Sequence, residues 1–511
     1  MNAEHAESGD SPASTSEKPG RRSDRSLYLF AAQGANVVLT FITYSYISRQ
    51  LGTVEAVGEF TLARSVTLAF AYAADSLIRL VFVSALASRP DDSRALFGTA
   101  QSLQWLVSLA SLPMLVAVIV LGGWSDLSTA IFAAGLAAVT QYGADLAAAS
   151  LLARKRTDLA AAVLVADRLL MVVCVGVAMQ IERSVAAAYL GMLAANLLRA
   201  AGSLVLARRI VLPSIRPGWS TEMALDLLRR GAPVALSLIA FAIYGRAAIF
   251  AMDKLSSDGT QQGLFAAAVT LLGLLNFIPT TFGLSELPTF GTQSADGLRA
   301  AQELHRRCFR CVMLASVATG TLLIVAARPI MSILFGKAFG DAAPLLQILM
   351  LSVPFGFMGH VYRYLLIPLR AQKLELAATA FGLALQMGLA SQWIPRYQAM
   401  GAAAALLTAE VIVYAMKFAL ASQRIGGVGK IDGFVVPVLW MAGSLGLLMT
   451  ISQEERWIRI GGQFVWLLAI GAVCRTMGRN ASSEESAKRS HGRSTTVPFR
   501  RERRTSRSRA A

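Results

Sequence analysis

The sequence predicts an all-α integral membrane protein with about 14 transmembrane helices. Hydrophobic residues make up 55% of the 511 residues, charged residues make up 15%, and the mean hydropathy is +0.53. Soluble domains carry about 25% charged residues, so this chain is too apolar for water. Apolar stretches of the roughly 20 residues that cross a bilayer follow one another with short polar connections. The predicted spans are 27–48, 60–86, 101–121, 130–152, 159–180, 185–206, 232–252, 264–284, 312–334, 342–366, 374–393, 399–421, 434–451 and 458–474.

The basic residues set the predicted orientation. The net charge is +17, but lysine and arginine gather on alternate connections, for example at 154–156, 208–230 and 299–310. This is the positive-inside pattern, which places both termini in the cytoplasm and accounts for the charge without a nucleic acid partner. We therefore expect a multi-pass protein of the cytoplasmic (inner) membrane whose surroundings are membrane lipids.

An internal repeat relates the two parts of the chain. The connection before helix two contains GEF at 58–60, and the connection before helix eight contains GLF at 263–265, each after a leucine and a polar turn. A second echo joins the starts of helices five and eleven, at 156–161 and 373–378. The matches lie about six helices apart, which predicts two six-helix lobes in one orientation, related by a pseudo-twofold axis. Two extra helices follow at the C-terminal end.

The repeat divides the chain into predicted segments. Two lobes that face one another enclose a cleft, which is the architecture of alternating-access transporters. We expect the basic C-terminal tail to be disordered and solvated, or attracted to anionic headgroups. The segments are a polar cytoplasmic tail at 1–26, an N-terminal lobe at 27–206, a cytoplasmic linker at 207–231, a C-terminal lobe at 232–421, two appended helices within 434–474, and the basic tail at 478–511.

Three segments carry a family resemblance: SRQLG at 48–52 with Gly58 and Phe60, the segment 231–268, and FGKAF at 335–339. Together they resemble polysaccharide exporters and O-antigen flippases, within the superfamily of lipid II flippases and MATE drug exporters. The resemblance implies a transporter that flips a polyprenyl-pyrophosphate-linked oligosaccharide from the cytoplasmic to the outer leaflet. It also implies polysaccharide polymerase or export machinery as partners.

Arg246 is the first candidate for substrate binding. A charge at mid-bilayer costs about 3 kcal/mol or more, so each one is a functional candidate unless it is paired or snorkels. Arg246 lies well inside helix seven, and the nearest acidic residue in the sequence, Asp253, comes seven positions later. A guanidinium group presents a planar fork of donors to phosphate oxygens. We therefore expect Arg246 to bind the pyrophosphate.

Other basic residues give further candidates. Asp75 and Arg79 share one face of helix two. Either they form an ion pair with a structural role, or Asp75 only restrains Arg79, which faces the cleft. Helix ten contains a polar and aromatic cluster that either suits a path for sugar and phosphate or lines the face between the lobes without touching substrate. The candidates in that cluster are Arg363, His360 and Tyr364. Arg64 in helix two is a further candidate, although its side chain could instead snorkel outward. Lys417 in helix twelve is expected to snorkel inward.

Deep acidic residues are candidates for a coupling ion. Glu410 lies near the middle of helix twelve and Asp145 lies in helix four, and with Asp75 they are potential cation or proton sites. Asp167 and Arg168 are adjacent and point about 100° apart, so we expect each to find a partner on another helix.

The motifs of familiar enzymes are missing from the sequence. It contains no Walker A motif, no HExxH and no GxSxG in a strand-to-helix context, so we predict no enzyme, no catalytic residue, no metal and no cofactor. A polytopic glycosyltransferase would carry a sizeable outer loop, and the outer connections are short. A cation-coupled MATE-type exporter, in which the acidic residues matter most, and a lipid II type flippase remain the alternatives.

Overall fold

A computed structural model describes residues 19–68, 78, 82, 93–153, 157–210, 219–280, 295–366, 372–425, 432–450 and 460–470. Within these ranges the chain is helical and forms no strand, which confirms the predicted all-α fold. The first half contains α1 Pro19–Leu51, α2 (54–68), α3 Ser93–Gly122, α4 Ser128–Ala153, α5 Thr157–Ile181 and α6 Val185–Ile210. The second half contains α7 Thr221–Tyr244, α8 Ala247–Leu255, α9 Gly259–Leu275, α10 (277–280), α11 Ala295–Val325, α12 Ala327–Phe335, a 3-10 turn Lys337–Ala342, α13 Ala343–Leu351, α14 Val353–Leu366, α15 Gln372–Ile425, α16 Asp432–Thr450 and α17 (460–470).

The predicted number of spans is not confirmed. Among the described residues, 5 helices are long and apolar enough to cross a membrane, or up to 8 if each bent pair counts as one span. Bends divide several predicted spans, because α11 and α12 meet at 79° and α13 and α14 meet at 45°. Conversely, α15 joins two predicted spans across a kink at Gln398, whose φ is 49°.

The helix surfaces suit a hydrocarbon environment. Leu121 is 87% exposed and Ile181 is 82% exposed, which would be unfavourable over a whole helix face in water. Inside the first half, α4 and α6 pack closely and bury alanines such as Ala134 and Ala188. The Asn196 amide of α6 donates to the Ala137 carbonyl of α4 at 2.8 Å. In lipid, helices are held together by close packing at small residues and by interhelical hydrogen bonds.

The two repeated connections contact each other. A Cβ built on Gly58 of α2 would lie 3.2 Å from the Cα of Gly263 of α9, so glycine permits this close approach. Beside them, the Thr260 hydroxyl donates to the Glu55 carboxylate at 2.5 Å, and this bond lowers the pKa of Glu55 below its ordinary value. Equivalent segments of the two halves therefore pack together at the end of the bundle that the charge pattern places outside.

Further contacts close the same end. The buried Ser48 hydroxyl at the end of α1 donates to the Phe335 carbonyl at the end of α12, at 3.0 Å. The Trp124 indole donates to Asp253 at 2.8 Å, and the Lys254 ammonium lies 4.7 Å from the Trp124 ring centroid. These contacts join residues far apart in the sequence, and they hold the halves together at this end in the present conformation.

Candidate substrate cavity

A cavity of about 320 Å³ lies in the second half of the bundle, where several helices are broken. The break between α7 and α8, the end of α9 and the break between α13 and α14 all open onto it. Broken helices expose backbone polar groups, which a membrane protein tolerates where they line a cavity, and transporters typically bind substrates at discontinuous helices. The cavity-lining residues at these breaks are Gly245, Arg246, Asn276 and Ser352.

Arg246 lies on the cavity wall as the N-cap residue of α8. Its guanidinium group lies against α9, where a Cβ built on Gly273 would be 3.9 Å from Nη2. Asp253, its nearest acidic residue in the sequence, is engaged by Trp124 at the closed end. The structure thus presents the predicted phosphate-binding arginine to a cavity.

Acidic and uncharged polar side chains of the cavity wall come from α15 and the end of α7. Glu410 of α15 and the buried Tyr244 of α7 both line the cavity. Gln386, in the part of α15 before the kink, also lines the cavity and is 1% exposed. Glu410 was among the predicted residues, whereas Gln386 was missed because an uncharged polar residue in an apolar stretch gives no signal of its own.

The predicted cluster of helix ten is divided by a phenylalanine. His360 lines the cavity and packs edge to face on Phe241, with ring centroids 5.1 Å apart. The Arg363 guanidinium lies over the same ring, with Cζ 3.4 Å from its centroid, but Arg363 is buried away from the cavity lining. Tyr364 lies in α14, with its side chain outside the described part of the structure. Only His360 of this cluster is therefore seen to reach the cavity.

Arg363 belongs to a buried ion cluster centred on Glu375 of α15. The Glu375 carboxylate accepts from Arg363 Nε at 3.1 Å, from Lys417 Nζ at 3.2 Å and from the hydroxyls of Ser237 and Thr379. The side chains of Arg363, Lys417 and Glu375 are 9%, 5% and 3% exposed. The expectation that Lys417 snorkels was wrong, because a buried carboxylate offers it a partner. Glu375 was missed because carboxylates at the start of a span are ordinarily solvated.

The first half contains a second ion network. Arg199 of α6 pairs with Asp145 of α4 at 2.7 Å and with Asp167 of α5 at 3.1 Å. Arg168 Nε donates to Asn36 of α1 at 2.5 Å and lies 3.6 Å from Asp167. The expectation that Asp167 and Arg168 find partners on other helices is confirmed. Asp145, a predicted coupling residue, helps to tie these helices together.

Of the remaining predicted residues, the structure describes Arg64 but not Asp75 or Arg79. Arg64 lies in α2, half-buried, with its guanidinium 4.8 Å from the Tyr44 ring centroid of α1. Asp75 and Arg79 lie outside the described residues. No three His, Cys, Asp or Glu side chains of the described ranges are grouped to hold a metal ion. Of the predicted residues, the cavity therefore brings together Arg246, His360 and Glu410.

Comparison with known proteins agrees with this architecture. The profile of a family described as "Polysaccharide biosynthesis protein" matches residues 127–344, which include Arg246. The fold is similar to that of the lipid II flippase MurJ in an inward closed conformation, with a TM-score of 0.62 and 11% identity over 88% of this chain and 98% of that chain. No curated protein sequence matches.

Two further transporters extend the comparison. The MATE multidrug transporter DinF-BH has a TM-score of 0.59 and 14% identity over 84% of this chain and 100% of that chain. A MOP superfamily transporter from Pyrococcus furiosus has a TM-score of 0.56 and 15% identity over 80% of this chain and 96% of that chain. The predicted resemblance to polysaccharide exporters is thereby confirmed, and the chain has the fold of these transporters.

Proposed function

We propose that this protein is a flippase that moves a polyprenyl-pyrophosphate-linked oligosaccharide, the repeat unit of a surface polysaccharide, from the cytoplasmic to the outer leaflet. The observation that carries the proposal is Arg246, held at a helix break on the wall of a cavity within a flippase-like fold. Its guanidinium group suits the pyrophosphate, and a low-dielectric cavity strengthens their attraction.

Alternating access supplies the movement in this proposal. Two lobes, 27–206 and 232–421, rock against each other, with the cavity lined mainly by the second lobe, and the contacts around Gly58 and Gly263 part when the cavity opens outward. Both termini lie in the cytoplasm, the protein resides in the inner membrane, and a polymerase or export machinery receives the flipped unit. The helices within 434–474 are appended to the second lobe.

Glu410 is the proposed coupling site. Its carboxylate lies on the cavity wall, where a proton or cation that binds there changes the charge that the substrate meets. Asp145 is less suited, because Arg199 already neutralises it at 2.7 Å. The position of Glu410 also favours a second candidate function, a cation-coupled exporter of the MATE kind. A lipid II type flippase would use the same pyrophosphate chemistry as the first proposal.

Deletion of the gene in its host tests the proposal. We expect polyprenyl-pyrophosphate-linked oligosaccharide to accumulate in membrane extracts and the surface polymer to be lost, and mass spectrometry of the accumulated lipid identifies the cargo. A lipid II type flippase would give accumulated lipid II instead. Unchanged lipids together with new sensitivity to cationic drugs would favour the exporter and overturn the proposal.

Complementation assigns the role of Arg246. The wild-type chain should restore the surface polymer and Arg246→Gln should not, at equal abundance in the membrane. The matched control is Arg230→Gln on α7, where Arg230 is 58% exposed and pairs with Asp226 one turn away at 2.7 Å. Full activity of Arg246→Gln would remove the assignment.

A further inference from the structure

Gln386 lies on the cavity wall and has no role in the proposed function. Within the described residues, neither the nitrogen nor the oxygen of its buried amide has a hydrogen-bond partner. By contrast, the buried Gln463 of α17 exchanges hydrogen bonds with Ser444 of α16 at 3.2 and 3.3 Å. Leaving a buried amide unsatisfied costs free energy, so an orphan amide on a cavity wall indicates a ligand that satisfies it.

The chemistry of the amide restricts that ligand. Its oxygen needs a donor and its NH2 group needs an acceptor. A monovalent cation would satisfy the oxygen alone, and Glu410 satisfies neither atom in the present structure. A sugar hydroxyl both donates and accepts, and an acetamido group does the same through its N–H and carbonyl. The Tyr244 hydroxyl and the Glu410 carboxylate, near the same wall, extend this pattern of donors and acceptors.

We propose that Gln386, with Tyr244 and Glu410, binds the hydroxyl or acetamido groups of the sugar attached to the pyrophosphate, while Arg246 binds the pyrophosphate. This inference rests on the proposed function and adds the recognition of the glycan. The cavity, at about 320 Å³, is at the lower end of the range of small-molecule sites. It therefore has room for one sugar and the pyrophosphate that carries it, and recognition is confined to the sugar nearest the lipid.

Binding to the purified full-length chain tests the inference. The probes are geranyl pyrophosphate and its conjugates with glucose, galactose and N-acetylglucosamine, titrated by calorimetry in detergent. We expect the wild type to bind at least one conjugate about tenfold tighter than geranyl pyrophosphate, the gain that one or two net hydrogen bonds provide. Gln386→Met, which keeps the side chain's length, should bring that ratio to about one.

Two controls separate recognition from folding. Gln386→Met should not lower the Tm, because it removes an unsatisfied group, whereas Gln463→Met should lower the Tm and keep the tenfold ratio. Equal affinities of the wild type for all four probes would mean that water alone satisfies the amide, and would overturn the inference. A retained preference in Gln386→Met would overturn it as well.

A different experimental result would overturn the proposed function. If geranyl pyrophosphate does not bind, or if Arg246→Gln binds it as tightly as the wild type, the pyrophosphate site is wrong, and the sugar site that depends on it falls too. If Arg246→Gln weakens the binding of all four probes but no conjugate is preferred, the pyrophosphate site stands and only the role of Gln386 is rejected.

Discussion

The two halves of the molecule bury the same kinds of charge and use them differently. In the first half, Arg199 on α6 joins Asp167 on α5 and Asp145 on α4. In the second half, Glu375 and Lys417 of α15 pair across the kink of that helix, and Arg363 joins them. Both networks tie helices together, but only the second lies next to a described cavity lined by helix breaks.

This difference shows that charge depth alone does not identify a transport site. Arg363 and Asp145 lie within predicted spans, as Arg246 and Glu410 do, yet they are engaged in ion pairs away from the cavity lining. Arg246 and Glu410 differ from them because they line a cavity where helices are interrupted. A buried charge becomes a binding candidate when a cavity and a helix break give a ligand access to it.

The largest expected effect comes from removing the centre of the second network. Glu375→Ala leaves the Arg363 and Lys417 charges buried without their carboxylate, and we expect a loss of about 3–5 kcal/mol in the free energy of unfolding, measured by thermal melting in detergent. Combining it with Arg363→Met and Lys417→Met should recover most of the loss. A single variant that melts like the wild type would show that the cluster contributes no stability.

A smaller loss is expected from the first network. Arg199→Met should destabilise the protein by about 2 kcal/mol, because Asp167 keeps Arg168 nearby and Asp145 is 25% exposed. Its affinity for geranyl pyrophosphate should be unchanged. A marked fall in that affinity, in a variant that remains folded, would place the first network in the substrate site and remove the contrast between the halves.

The contact between the halves gives the next effect. In Gly263→Ala the new Cβ would overlap the Val54 carbonyl, so we expect the closed end to be destabilised by about 1–3 kcal/mol. Gly58→Ala is the matched control with a milder effect, since its Cβ would approach the Gly263 Cα at 3.2 Å. Spin labels on Thr53→Cys and Ser257→Cys, in a background without the native cysteines, should move apart in Gly263→Ala. An unchanged distance would show that this contact does not hold the end closed.

The smallest effect on stability is expected at Glu410. Glu410→Gln breaks no ion pair within the described ranges and should leave the Tm unchanged, while it slows ion-driven transport about tenfold, equivalent to about 1.4 kcal/mol. Proteoliposomes with the lipid-linked oligosaccharide and an imposed proton or sodium gradient measure this rate. Asp145→Asn should have little effect on it; the reverse ranking of the two variants would move the coupling site to the first half.

Part of the site could be predicted from the sequence. The position of Arg246 inside an apolar stretch was enough to select it, and the same reasoning selected Glu410. His360 was selected as part of a polar and aromatic cluster, and both residues also line the cavity. The prediction for Lys417 was wrong, and Gln386, Glu375 and Arg199 were not selected. The roles of Lys417, Glu375 and Arg199 depend on partners distant in the sequence: Lys417 and Glu375 are 42 residues apart, Arg199 and Asp145 are 54 apart, and Ser237 and Glu375 are 138 apart.

The amino-acid sequence is enough to predict a helical membrane protein with an internal repeat and a resemblance to polysaccharide exporters. Insertion into lipid depends on local composition, and a repeat is visible in the residues themselves. The pairing of the charges, the positions of the helix breaks and the polar groups that meet at the cavity depend instead on three-dimensional packing. A helix in lipid is apolar on most sides, so its hydropathy does not fix how it is rotated against its neighbours. That rotation, set by packing, turns Arg246 and Gln386 into the cavity and Arg363 away from it.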